Sequence, residues 1–131
     1  MDILQDISEA IEIELEEKKI EEELDIAKYK WFYNVSKGAG WDKSTEESKL
    51  EFQKAQEKFL AIEKKRLNNK NIYTEKAMQL SDEDFDMLLN YVNAKAINKT
   101  DKNSSAYSGI LTILVNIQDE RSQANKTPIN R

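Results

Sequence analysis

Hydrophobic positions along residues 3–35 recur with the period of a helix, not a strand. Ile13, Ile20, Leu24, Ala27 and Trp31 follow seven, four, three and four spacing, which is one helical stripe. A second stripe holds Leu4, Ile7 and Ile11 at one end and Ile26, Tyr29 and Tyr33 at the other, with glutamates and lysines between them. No Gly or Pro interrupts the stretch. Asp2 with Gln5 suits a capping box at its start, and Gly38 suits the left-handed position that ends a helix. At 1.5 Å per residue this rod is about 50 Å long, whereas a compact domain of this length is on the order of 35–40 Å across. A rod that overhangs its own body, with apolar residues at both ends, predicts a partner.

Past the Gly38-Ala39-Gly40 loop the helical pattern resumes. Ser44 with Glu47 forms a second capping box, opening a helix over 45–67 whose apolar face is Leu50 or Phe52, then Ala55, Phe59 and Ile62. Folding it back on the first helix sets Ile20 against Phe59, Leu24 against Ala55 and Ala27 against Phe52, as in an antiparallel hairpin. Asn68 to Asn71 reads as a polar turn, and Thr74 to Leu80 as a short helix. Ser81 caps a helix over 82–97 with Phe85, Leu88, Leu89 and Val92 on its buried face. Asn98 to Ser104 is a linker. Residues 105–118 are apolar nearly all round and predict a buried helix, although their β-branched content also permits a strand. The fold expected is all-α: a long antiparallel helical hairpin (about 3–35 and 45–67) with two or three shorter helices packed at one end. Residues 1–118 form a single helical domain in this reading, and 119–131 a polar C-terminal tail.

Charge sharpens the picture. The net charge is −5, but residues 1–25 carry eleven acidic and two basic side chains, while residues 26–70 carry six acidic and eleven basic. The molecule is dipolar, and the basic end of the second helix (Lys58, Lys64, Lys65, Arg66) falls beside the acidic stretch Glu9–Glu23. Apolar and charge registers thus agree on the hairpin. The apolar run Ile110–Val115 is far shorter than a membrane span, and the N-terminal residues lack a basic leader. The expectation is a cytoplasmic protein, or a virion component if phage-encoded, with no membrane partner.

Candidate chemistry is sparse. The sequence has no His and no Cys, so thiolate zinc sites, Ser-His-Asp triads and histidine bases are excluded within this chain. Asp101, Asn103 and Ser105 mimic the start of an EF-hand loop, but Ala106 stands where the turn glycine belongs and Thr112 where the bidentate Glu belongs. Glu14 with Glu17, and Glu83 with Asp86, are ExxE and ExxD pairs on helices. They resemble the paired motifs by which all-α nucleotide pyrophosphatases hold magnesium, a resemblance of four residues that implies a magnesium-dependent enzyme as a third functional reading. Lys28, Tyr29, Lys30, Trp31, Phe32 and Tyr33, with Lys37, Trp41 and Lys43 near them, interleave aromatics with lysines. Such a cluster stacks bases and neutralises phosphates, anchors a hairpin core, or forms an interface hot spot.

The missing catalytic residue types, the overlong helix and the dipolar charge favour a non-enzymatic protein-interaction or assembly protein. A structural subunit, adaptor or inhibitor of phage or mobile-element type, coiled-coil-like and oligomeric, fits these features. It needs no cofactor and no metal, and its partner-binding residues are expected to be Tyr29, Lys30, Trp31, Tyr33, Trp41, Leu4, Ile7 and Ile11. The alternative is a nucleic-acid accessory protein using the cluster at 28–43.

Overall fold

The computed structural model describes residues 2–36 and 43–126, and among these every regular element is an α-helix. They are α1 (Ile3–Ser36), α2 (Lys43–Gln79), α3 (Asp82–Ile97) and α4 (Ser104–Lys126). The chain is all-α, and α1 and α2 form the antiparallel hairpin. Helix α1 runs unbroken through its glutamate-rich centre, as expected of residues with high helix propensity and no Gly or Pro.

Helix α2 departs from expectation. It continues through Asn68-Asn69-Lys70-Asn71 and absorbs the segment read as a separate short helix. Asparagine in a helix interior costs only a few tenths of a kcal/mol, and tertiary contacts offset that easily. Asn69 is buried, and its amide donates to the Asp6 carbonyl at 3.0 Å. Two turns on, Lys76 Nζ donates to the Asp6 carboxylate at 2.6 Å. The hydroxyl of Thr74, expected to cap a new helix, instead donates to the Asn71 carbonyl one turn back.

Helix α3 matches its expected limits. The Ser81 side chain accepts from the Asp84 N–H at 3.1 Å, so the cap identified in the sequence is made. For α4 the ambiguity resolves as helix. Its buried positions Ala106, Ile110, Leu114 and Ile117 are spaced four, four and three, one helical face. It extends well beyond residue 118, as far as Lys126.

Two compact units are distinguishable, and α1 and α2 contribute to both. The first comprises Met1–Ile11 and Asn68–Arg131. Here the first turns of α1, the last third of α2, and α3 and α4 enclose one core of Ile3, Ile7, Ile11, Tyr73, Ala77, Phe85, Leu88, Val92, Ala106, Ile110, Leu114 and Ile117. Arg121 locks its rim. The guanidinium donates to the Ala77 carbonyl at 2.8 Å and to Asp82 at 2.9 Å, and it lies 4.5 Å over the Phe85 ring. It satisfies carbonyls at the end of α2 that have no partner within the helix.

The second unit, Glu12–Leu67, is a hairpin of two helices. Trp31 stacks on Phe52 with ring centroids 5.3 Å apart, and Asn34 donates to the Ser48 hydroxyl at 3.1 Å. The register therefore differs from the sequence expectation by about one helical turn, which leaves the same faces in contact. Acidic α1 and basic α2 meet as expected, through Glu23–Lys58 at 3.6 Å and Glu17–Arg66 at 3.1 Å.

Candidate functional site

The hairpin unit distributes its side chains by size in an unusual way. Among its described residues the buried hydrophobics are Ile13, Ala27, Ala55 and Ile62, two of them alanines that let the helices approach closely. Its large groups stand outside: Ile26 is 63% exposed, Tyr29 73%, Phe32 51% and Leu60 63%. Tyr33, Val35, Leu50 and Leu67 are exposed as well. A layer of two helices has no second layer on which to bury such groups, and domains resolve that by packing another layer against them. Single exposed apolar residues are ordinary, but a contiguous set marks a binding surface.

The two grooves between the helices differ in chemistry. One is lined by Glu16, Lys19 and Glu23 from α1 and by Lys58, Ala61 and Lys65 from α2, with Ile20 and Ile62 at its floor. The Glu23–Lys58 pair spans it, so this side is the solvated one. The other, about 560 Å³, is lined by Leu24 of α1 and by Gln53, Gln56, Glu57, Phe59 and Leu60 of α2. Apart from Glu57 its walls are uncharged, and its side chains are ones that a helix ridge can enter.

The expected site residues divide into three groups. Tyr29, Lys30, Trp31 and Tyr33 lie in the hairpin unit. The rings of Tyr29 and Tyr33 stack at 6.3 Å, and Lys30 reaches Glu51 at 3.6 Å. Trp31 is half-buried against Phe52 and Phe32, and among the described residues its indole N–H has no acceptor. Lys28 sits over the Phe32 ring at 5.7 Å. Leu4, Ile7 and Ile11, expected to meet a partner, belong to the chain's own core. Ile7 and Ile11 are buried, and Leu4 packs against them. The apolar faces of α3 and α4 cover them. Trp41 and the Gly38 cap lie outside the described residues, as does the Lys43 side chain.

The carboxylate pairs are separated by unit: Glu14 and Glu17 belong to the hairpin, Glu83 and Asp86 to the four-helix unit. Glu17 accepts from Arg66. Asp101 closes a turn, its carboxylate accepting from the Asn103 N–H at 2.8 Å and lying 4.0 Å from Lys95. Among the described residues no helix is long and apolar enough to cross a membrane. Sequence reasoning missed the groove of Leu24, Phe59 and Leu60. Its signal was present in Gln53, Gln56, Leu60 and Leu67, an exposed stripe at helical spacing that the expected buried face of α2 overshadowed.

No family of known proteins matches this chain, and neither a curated protein nor a solved structure is significantly similar to it.

Proposed function

We propose that this chain is a non-enzymatic protein-interaction protein, a structural subunit, adaptor or inhibitor that works by docking its hairpin on another polypeptide. The observation that carries the reading is the set of large apolar groups that this unit leaves in solvent, Phe32, Tyr29, Ile26 and Leu60. Tyr and Trp are the residues that dominate binding energy at protein interfaces.

A protein partner fits better than a nucleic acid. Lys30, one of the lysines a phosphate would need, is paired with Glu51. The net charge of −5 also opposes long-range capture of a polyanion. The test is a doubly substituted chain, Tyr29→Ser with Leu60→Ser, used as bait beside the parent. Specific retention of one polypeptide by the parent and at least tenfold less by the variant, at equal helicity, is the expected outcome. Salt-sensitive binding of single-stranded oligonucleotides with no polypeptide retained would replace the proposal with its nucleic-acid alternative.

A further inference from the structure

Resting on that reading, we infer that the polypeptide docked on the hairpin is a second copy of this chain, the two hairpins closing face to face into a four-helix bundle. Three observations converge on it.

The face is the right size. Residues 12–36 of α1 span about 37 Å and two adjacent helices are about 20 Å wide, so one face offers on the order of 700 Å². A standard interface takes about 800 Å² from each partner. Another hairpin of equal length therefore covers the surface with neither overhang nor deficit.

Its shape also suits a like surface. The groove is lined by Leu24, Phe59 and Leu60, with Gln53 and Gln56 supplying neutral polar contacts. Two such layers supply the core that one layer lacks, which is how two-helix protomers become four-helix bundles.

The charges are self-complementary. Glu21, Leu24 and Lys28 share one stripe of α1, at spacings of three and four, and both charged residues are exposed. A two-fold axis crossing α1 beside Leu24 and Asp25 lays the helix antiparallel on its copy. Glu21 of each chain then stands opposite Lys28 of the other, twice per dimer. Isologous contact requires a surface that complements itself, and a stripe of one sign would repel its copy.

Size-exclusion chromatography with light scattering on the full chain reads this directly. The expected mass is twice that of the 15.2 kDa chain, falling to one chain on dilution. Glu21→Lys alone, or Lys28→Glu alone, sets like charges opposite each other and weakens the dimer on the order of tenfold. The chain carrying both reversals recovers to within about threefold of the parent, because the pair is restored with its ends exchanged. Leu60→Glu, with helicity checked by circular dichroism, gives a monomer. A single-chain mass at every concentration overturns the inference, as does a dimer indifferent to Leu60→Glu and to both single reversals. If the parent is monomeric yet a different polypeptide binds it through Leu60, the second-copy inference fails and the interaction reading survives. If neither association is found, both fail.

Discussion

Arg121 shows how much one side chain from the polar end of the sequence contributes. Its side chain is only 14% exposed, and it joins α4 to the end of α2 and the start of α3. Arg121→Ala removes charge-assisted hydrogen bonds and a stacked ring contact, and is expected to lower unfolding stability by about 2–3 kcal/mol in a urea titration. Arg121→Lys keeps the charge but loses the planar fork, so only a minor part of that loss is recovered. Nothing in the composition of residues 119–126 announced this role. A lone arginine in a polar segment looks the same whether it is solvated or clamped. Leu4, Ile7 and Ile11 were unreadable for a related reason. An apolar stripe shows that something covers it, and only the folded chain shows that the cover is α3 and α4.

Helix boundaries were legible where a local signal dominated. Ser81 ahead of three acidic residues marked the start of α3 because that cap is built within four residues. Asn68 to Asn71 misled because the forces that keep it helical act over sixty residues of sequence, through Asp6 with Asn69 and Lys76. A proline discriminates the two structures. Asn71→Pro would be mild in a turn, but in the interior of α2 it is expected to cost about 3 kcal/mol or more, read as a fall in midpoint and in helicity. Two groups tie α2, α3 and α4 to pH. The hydrogen bond that Lys76 donates to Asp6 holds the Lys76 pKa above the usual lysine value, and burial, followed by Tyr91, raises that of the Tyr107 phenol. For both, the protonated form is favoured by folding. Their contribution is complete below the unfolded pKa values, about 10, and is lost as pH rises through the higher folded ones. Melting temperature is expected to fall as pH rises above about 10. In Tyr107→Phe that decline is shallower. An unchanged alkaline profile in Tyr107→Phe would exclude that phenol as a contributor.

The two units differ in how well their own atoms cover them, and their dynamics should differ with it. The four-helix unit buries Leu88, Val92 and Leu114 fully, whereas the hairpin seam is closed by two alanines and two isoleucines. Hydrogen exchange is expected to divide accordingly at low protein concentration. Amides of residues 85–92 and 110–117 open only with global unfolding, while those of 20–35 and 46–60 open by a cheaper local route. Protection of the second set should rise with protein concentration if the hairpins associate, and uniform protection at all concentrations would count against the docking surface. The all-α class and the hairpin were readable from periodicity and charge alone. The register and the Leu60 groove were not, because a shift of one turn leaves every apolar stripe intact.

The core of Ile3, Ile7 and Ile11 with Ile110, Leu114 and Ile117 has a consequence for synthesis. During translation the first of these turns leave the ribosome about a hundred residues before α4, so they lack that cover until it emerges. Delayed closure of this kind leaves the isoleucines open to ribosome-associated chaperones, and slowing elongation should lengthen any such engagement in a ribosome-profiling pull-down.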